Sequence, residues 1–427
     1  MQNNAVRFST TGVILVVFFL GLLNFEIRNA EDVVASTLTW SVIHRIVSIF
    51  SVSLFLILRA PLLVSKILSN RILLIFFCYL IYRAMTTVWS VSPIWTAYRV
   101  FEYGVVFCLF VFLVCRGEAR GDPEYLVKAV VKYNIFLVVT LLIGVVVFPD
   151  AVSRGGVLPR IHGIFPILSP TSIAQISSLI LLVVLAGFLD RRKILKYSLF
   201  GICLALFVSA QNRTGLVVIS IYLMILSISA SRSLLGLIFA ILFGASALAL
   251  VLFNGDVVMS YVLRGQDMAT LSSLSSRTVM WESTLQNFYE GSLRGKIFGL
   301  GSFAGVRFLV AGNNFYETNE SSSLFSTDNL WLEILIHEGL IGVLFVVVIS
   351  FYITKYIFCM DRGKRKLVSV CLWSGLLLSS FTVGNMLLHT NLLFFCVLMV
   401  SAMSYEQSRR ARLTTRSYLQ MSTPRIL

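Results

Sequence analysis

Three arginines in this chain of 427 residues stand beside small or hydroxyl-bearing residues, each where a helix is expected to begin. They are Arg160 in the segment Arg-Ile-His-Gly, Arg213 in Gln-Asn-Arg-Thr-Gly, and Arg277 in Ser-Arg-Thr. A guanidinium offers several donors to phosphate oxygens, it stays charged at any relevant pH, and free N–H groups at a helix start add to the field. The three segments therefore predict a site that binds phosphate or a similar anion.

Each of these arginines also has a plainer interpretation. Arg213 stands between two apolar runs with almost no loop, where a helix-end arginine can extend along the bundle to reach water. Arg160 and Arg277 can be solvated loop residues, the ordinary situation of that residue type. The residue pattern alone leaves both interpretations open.

Asp328 is the acid that could work beside these cations. It stands in Ser-Thr-Asp-Asn-Leu, just before a long apolar run, with Asn329 as a supporting candidate. A carboxylate within hydrogen-bond reach of a hydroxyl can accept its proton, but Asp is also a preferred N-cap, so both roles are open. His337 and Glu338, a few residues later, are either catalytic groups or side chains satisfied inside a helix bundle.

The composition identifies the elements that must position these residues. The chain is 57% hydrophobic and 13% charged, with a mean hydropathy of +0.88, whereas soluble domains are about 25% charged. Apolar runs long enough to cross a bilayer fall near 9–25, 41–58, 71–89, 98–115, 130–148, 171–189, 194–210, 214–230, 233–253, 332–354, 367–388 and 391–405. This predicts an all-α integral membrane protein with about twelve transmembrane helices.

The charge distribution predicts the orientation of these spans. Lys and Arg number 35 against 20 Asp and Glu, a net charge of +15. A cytoplasmic N-terminus places about twice as many cations inside as outside, as the positive-inside rule requires. Both termini are therefore expected in the cytoplasm. The same rule accounts for the basic character, so nucleic acid is not expected as a partner.

The longest polar stretch covers residues 254–327 and lies outside the membrane in this topology. Structureless loops of that length are uncommon unless they are functional. Within it, Ser275 to Phe288 reads as an amphipathic helix. The predicted organisation is spans one to nine in residues 1–253, an external loop subdomain in 254–327, spans ten to twelve in 328–405, and a basic cytoplasmic tail in 406–427.

Charged residues also occur inside the predicted spans. Arg83 in the third span and Glu102 in the fourth fall at the same depth of an antiparallel hairpin, so we expect them to pair. An intramembrane charge is a functional hypothesis by default, and pairing supplies a structural alternative. His44 and Arg45 enter the second span at a similar depth, which predicts a polar cavity in the outer half of the bundle.

Taken together, these segments resemble the O-antigen ligase and polymerase superfamily of bacterial inner-membrane proteins. The likeness spans roughly residues 80 to 345 and depends on the order and spacing of motifs that are weak individually. They are Trp89-Ser-Val-Ser-Pro93, Arg160-Ile-His-Gly-Ile-Phe, Asn212-Arg-Thr-Gly215, Ser276-Arg277-Thr with Trp281, Gly299-Leu-Gly301, and Asp328-Asn329-x-x-Leu with Glu338-Gly-Leu-Ile-Gly342.

The resemblance implies a glycosyltransferase with a GT-C-like fold that needs no metal, cofactor or nucleotide sugar. It implies transfer of a glycan from undecaprenyl diphosphate to an acceptor hydroxyl at the periplasmic face of the inner membrane. Arg213 and Arg277, with Arg160 assisting, correspond to the arginines associated with the diphosphate. The implied partners are the lipid-linked donor, the glycan acceptor, membrane lipids, a chain-length regulator and a flippase.

Asp328 decides between the activities within this superfamily. Lipid A-core ligases usually carry His before the Asn, whereas Asp-Asn is more similar to polymerases of exopolysaccharide clusters. We therefore expect a polymerase of polysaccharide repeat units, with a glycan ligase as the alternative. A flippase is a third hypothesis because twelve spans also suit secondary carriers, although the sequence has no matching halves.

The topology leads to a first prediction. A periplasm-sensitive reporter fused at residue 310 should be active, because the loop of residues 254–327 follows an odd number of spans from a cytoplasmic N-terminus. The measurement is the activity ratio of paired periplasmic and cytoplasmic reporters at that position. A cytoplasmic signal would contradict the orientation of every site residue above.

Overall fold

The fold is known from a computed structural model. It describes residues 40–120, 125–147, 153–154, 160–161, 163–164, 167–187, 193–230, 277–304, 329–361, 363–381, 397–398 and 400. The predicted first and ninth spans, nearly all of the twelfth, Asp328 and the basic tail lie outside these residues. The described part is almost wholly helical.

The helices follow the apolar runs of the sequence. They are α1 (Trp40–Ile57), α2 (Ala60–Ser69), α3 (Arg71–Thr86), α4 (Pro93–Ala119), α5 (Tyr125–Val147), α6 (Pro170–Leu185), α7 (Lys193–Ser209), α8 (Arg213–Ala230), α9 (Arg277–Glu290), α10 (Leu293–Phe298), α11 (Leu330–Phe358) and α12 (Lys364–Ser380). Apart from α2, α9 and α10, each overlaps one predicted span. The helix predicted in the external loop is confirmed as α9.

Several of these helices have the dimensions of membrane spans. In the described residues, Pro93–Ala119, Val127–Val147 and Leu330–Phe358 are each long and apolar enough to cross a bilayer. Helices α1 and α2 pass the same test only as a pair, which is bent by 80° at the break between them. The chain is thus a membrane protein, and the count of twelve spans stays a prediction.

Two short strand pairs depart from the expected all-α fold. Strand β1 (Ser153–Arg154) pairs antiparallel with β2 (Arg160–Ile161), and β3 (Gly163–Ile164) pairs with β4 (Ile167–Leu168). Strands of two residues are too short to show an alternating pattern, so the sequence did not reveal them. They contact α5, α6 and α7 and so hold the segment of Arg160 against the bundle.

Local signals explain where the helices start. The Asn70 side chain caps α3 by accepting hydrogen bonds from two backbone N–H groups, and the Ser169 side chain caps α6 by accepting one from the Ser172 N–H. Pro93 and Pro170 stand at the starts of α4 and α6, where a missing N–H costs nothing. These caps satisfy backbone groups that could find no water inside a bilayer.

The helices pack into a bundle with two hydrophobic clusters. The larger joins α1 to α4 with α11 and α12, and the smaller is formed by α5, α6 and α7. On the outside, large apolar side chains such as Val47, Val146, Leu344 and Phe351 are exposed. An apolar exterior around a packed core is what a lipid environment requires.

Helix α11 is interrupted at Gly339, where φ is 68° and ψ is −166°. The segment after α10 packs into this interruption, since Leu300 N–H donates to the carbonyl of Ile336 (2.9 Å) and Gly301 N–H donates to that of His337 (3.0 Å). A Cβ atom added to Gly339 would lie 2.3 Å from the carbonyl oxygen of Ile297. The break therefore requires glycine for both its conformation and its space.

The interruption leads to a second prediction. Gly339→Ala should destabilise the protein by about 2 kcal/mol or more, because only glycine adopts this backbone region without strain and the added methyl meets a carbonyl oxygen. The measurement is the temperature at which half of the detergent-purified protein loses its monodisperse peak. Gly201→Ala is the control, since no atom lies within 4 Å of the methyl it adds in α7. Equal melting of the two variants would contradict the prediction.

Candidate functional site

Arg213 is the first residue of α8, as the sequence predicted for a helix-start arginine. A tight turn joins α7 to α8, and Gln211 adopts a positive φ of 48° in it. The Asn212 side chain accepts a hydrogen bond from the Gly215 N–H at 2.7 Å, so Asn212 caps the helix. Arg213 is half-buried.

A small cavity with both polar and apolar lining residues lies beside this helix start, between α6, α8 and α12. It is lined by Thr171, Gln175, Ser178, Leu179, Asn212, Thr214, Gly215, Val218, Tyr222, Leu372, Gly375, Leu376 and Ser379. Its volume of about 30 Å³ has room for about two water molecules. Asn212 and Thr214, the residues on either side of Arg213, both line it. A polar cavity was expected in the outer half of the bundle, although near Arg45 rather than here.

The start of α11 lies at the same end of the bundle. The Asn329 side chain caps this helix by accepting from the N–H groups of Trp331 (3.0 Å) and Leu332 (3.3 Å). The Trp331 indole donates to the Ser380 hydroxyl at 3.1 Å, and the neighbouring Ser379 lines the cavity. The starts of α8 and α11, more than a hundred residues apart in the chain, thus both lie near the end of α12, at Ser379 and Ser380.

This arrangement removes one of the two interpretations of Asp328. The helix cap of α11 is Asn329 and not Asp328, so the capping interpretation of Asp328 is wrong. Asp328 itself lies outside the described residues, and it directly precedes the cap in the sequence. Its role as a proton acceptor stays a prediction.

The other two predicted arginines are placed only by their backbones. Arg277 is the first residue of α9, which packs against α10 and α11. Arg160 pairs with Arg154 in the first strand pair, and its strand contacts α7, the helix that leads into Arg213. These positions are compatible with a shared anion site and do not test it.

The expected pairing of Arg83 with Glu102 is wrong. The Arg83 Nε atom lies 2.8 Å from Oε1 of Glu338, while Glu102 binds Arg45 and also Arg99, whose Nη1 atom is 2.7 Å from Oε2. Hydrophobic periodicity predicts the depth of a residue in the bilayer but not the helix that its side chain faces. Arg83 points from α3 towards α11, and Glu102 points from α4 towards α1.

The structure supports the structural interpretation of His337 and Glu338. Glu338 is completely buried, and its two carboxylate oxygens accept hydrogen bonds from the hydroxyls of Tyr79 (2.5 Å) and Ser302 (3.2 Å). His337 is 4% exposed, and its carbonyl is bound by the Gly301 N–H. Neither side chain has an open path to a substrate among the described residues.

Sequence reasoning missed the partners of these buried charges. Arg99 stands three residues before Glu102 on α4, and that spacing alone could have indicated the pair. Tyr79 and Ser302 gave no such signal, because a hydroxyl in an apolar or Gly-rich segment has no characteristic spacing from a distant carboxylate.

The described residues therefore offer a particular kind of chemistry. A cationic helix start adjoins a small cavity to which several hydroxyl and amide side chains contribute beside apolar ones, and a helix start with an arginine is suited to bind an anion. Among the residues that the structure describes, no three His, Cys, Asp or Glu side chains come together as a metal site.

Comparison with known proteins assigns part of the chain to a family. Residues 198–347 match the family model described as O-antigen ligase, over about a third of the sequence. The matched region contains Arg213, Arg277 and Asp328, whereas Arg160 lies before it. No curated protein matches the chain. The match confirms the resemblance to the O-antigen ligase and polymerase superfamily and supports a function of that type.

Proposed function

We propose that this membrane protein, whose residues 198–347 match the family model described as O-antigen ligase, is a polymerase of surface polysaccharide repeat units, either O-antigen or exopolysaccharide. It transfers a glycan from undecaprenyl diphosphate to an acceptor sugar hydroxyl at the periplasmic face of the bacterial inner membrane. The observation that carries the proposal is Arg213 at the start of α8, inside the matched region and beside a small cavity that its neighbours Asn212 and Thr214 help to line.

The proposed role of the arginines is to stabilise the leaving group. As the bond from the anomeric carbon to the diphosphate breaks, its electron pair passes to the diphosphate oxygen, where negative charge develops. Arg213 and Arg277, with Arg160 assisting, neutralise that charge. Guanidinium groups are charged at every physiological pH, so this assistance needs no metal ion. Donors fixed at helix starts also lose little freedom when the charge appears.

Asp328 is proposed to accept the proton of the acceptor hydroxyl while its oxygen forms the new glycosidic bond. The cap of α11 supports this role, because Asn329 satisfies the free backbone N–H groups and leaves the Asp328 carboxylate without a capping duty. Asn329 also fixes the start of the helix and so the point from which residue 328 extends.

Two observations bear on the choice between a polymerase and a ligase, and they favour different activities. Asp rather than His at position 328 favours polymerisation, in which donor and acceptor are both lipid-linked. The description of the matching family favours a ligase, which transfers the finished glycan once to a different acceptor. A GT-C-like bundle of twelve spans with a periplasmic loop would serve either activity.

The experiment that tests the proposal uses the purified full-length protein in lipid nanodiscs with undecaprenyl-diphosphate-linked repeat units. We expect lipid-linked glycans of two or more repeats, resolved by electrophoresis and mass spectrometry. If the protein transferred the glycan only to an added lipid A-core acceptor, its activity would be that of a ligase and the polymerase proposal would be wrong. Transport of the lipid-linked donor across a proteoliposome membrane, with no new glycosidic bond, would replace it with a flippase.

The third prediction concerns Arg213. Arg213→Lys should reduce chain extension by about tenfold or more, because a point ammonium keeps the charge and loses the bidentate fork. The measurement is the initial rate with lipid-linked repeats. Arg294→Lys is the matched control, since Arg294 is exposed on α10, and its rate should equal that of the parent. If Arg213→Lys were fully active while Arg213→Ala was inactive, the role of Arg213 would be simple charge neutralisation and not bidentate binding.

The fourth prediction concerns Asp328. Asp328→Asn should slow polymerisation by about 100-fold to 10,000-fold, the usual loss on removing a general base, while expression and melting temperature stay close to those of the parent. The helix cap is unaffected because Asn329 provides it. Asp361→Asn, an exposed position beyond the far end of α11, is the control. A rate within a few-fold of the parent would remove Asp328 from the chemistry.

A further inference from the structure

Three separate segments meet at the buried pair of Arg83 and Glu338. Arg83 belongs to α3 and Glu338 to α11, and neither side chain has any exposed surface. The third segment follows α10 and contributes Ser302, whose hydroxyl donates to the Glu338 carboxylate. Tyr79 connects both charges, since it donates to Glu338 at 2.5 Å and accepts from the Arg83 Nη2 atom at 2.8 Å.

Backbone contacts attach the third segment to the same place. The Tyr82 hydroxyl lies within hydrogen-bond distance of the carbonyls of Glu338 (2.6 Å) and Phe298 (3.1 Å). The Thr86 hydroxyl accepts from the Ser302 N–H at 2.9 Å. The end of α3 therefore binds both the interrupted helix and the segment that enters the interruption.

The segment of residues 299–301 fits there without spare room. A Cβ atom on Gly299 would lie 2.4 Å from the backbone nitrogen of Glu338, and one on Gly301 would lie 2.2 Å from the Ser90 hydroxyl oxygen. Both glycines have positive φ, at 75° and 111°. Such close backbone contact means that the segment moves only if the whole junction opens.

Both proposed reacting groups extend from this junction. On one side, residues 277–298 form α9 and α10, and Arg277 begins that unit. On the other side, the outer part of α11 runs from Glu338 back to Leu330, and Asp328 precedes it in the sequence. A displacement at the junction would change the position of Arg277 relative to Asp328 while leaving both side chains intact.

We propose that Arg83 and Glu338 are positioning residues, and that their ion pair sets the placement of the external helix α9 relative to the outer part of α11. We call α9 with α10, and the outer part of α11, the two arms of the junction. The inference rests on the proposed function, because it assigns one arm to diphosphate binding and the other to the proton acceptor. An apolar pair could fill the same space and be equally stable, since replacing a buried ion pair with neutral groups is often tolerated. Such an apolar pair would lack the directional hydrogen bonds that fix α3, α11 and the segment after α10 in one relative position.

The test is a double-mutant cycle of Arg83→Met, Glu338→Gln and the two together. Each single variant leaves one buried charge without its oppositely charged partner and should be less stable than the parent. The double variant removes both charges and should regain most of the lost stability. Turnover should stay about a hundredfold low in the double variant, as expected for misplaced groups, while KM for the lipid-linked donor stays near that of the parent.

A second measurement reports position without any activity. Spin labels at Leu332, a half-buried position in the outer part of α11, and at Tyr289 on α9, which is 70% exposed, give a distance distribution by pulsed electron resonance. They are introduced after replacement of the exposed Cys78 and Cys359 with Ser. We expect the distribution to shift or broaden in the double variant and to stay narrow in the parent.

The matched control is the ion pair of Lys66 and Glu118, which lies about 24 Å further along α4 than Glu102. The variants Lys66→Met, Glu118→Gln and their combination should leave turnover and label distance unchanged. This control separates loss of the junction from loss of any ion pair.

Each contrary outcome has a defined meaning. Turnover that recovers together with stability in the double variant, or an unchanged label distance, would overturn the positioning role. A double variant as unstable as the single variants would overturn it too, because the pair would then be needed for folding itself. If the parent protein made no glycosidic bond, only the proposed function would be overturned. The label distance would still show whether the ion pair of Arg83 and Glu338 fixes the two arms.

Discussion

Arg83 and Glu338 are shielded completely from solvent, so each charge depends on the other and on the hydroxyls of Tyr79 and Ser302 for its stabilisation. A charge without a partner would be costly in a bilayer, and a pair is satisfied only if the segments that carry it stay together. This constraint joins α3, the interrupted helix α11 and the segment after α10. The glycine-dependent break at residue 339 makes the contact possible by opening α11 where that segment enters.

The polar groups of this bundle serve two different purposes. Around Glu338 and Glu102 the guanidinium groups are occupied by carboxylates within the protein. At the start of α8 the cap is an amide, and the cavity beside it is lined by hydroxyl and amide groups. Intramembrane arginines that bind carboxylates stabilise the structure, and an arginine at a helix start beside a polar cavity is suited to bind an anion. Residue type alone does not distinguish these two kinds of arginine.

Much of the bundle could be predicted because a bilayer imposes a simple rule on the chain. Backbone groups must be satisfied within each segment, so apolar runs such as residues 98–115 and 332–354 become helices wherever they occur. The helix α9 in the external loop was predictable from its amphipathic pattern and its flanking Ser and Gly residues. The strand pairs around Arg160 and the short helix α10 were not, because elements of two to six residues carry no periodic signal.

By itself, the sequence determined the membrane class and the positions of the described helices, and it predicted which residues would bind a diphosphate or accept a proton. These features depend on local composition and spacing, which each segment carries alone. Only the tertiary structure decided that Arg83 binds Glu338 rather than Glu102, that Asn329 caps α11, and that the start of α8 adjoins a cavity between α6 and α12. The physical reason is that helix periodicity fixes depth and face but not rotation against a neighbour. That rotation is set by packing, by close glycine contacts and by the need to satisfy each buried charge.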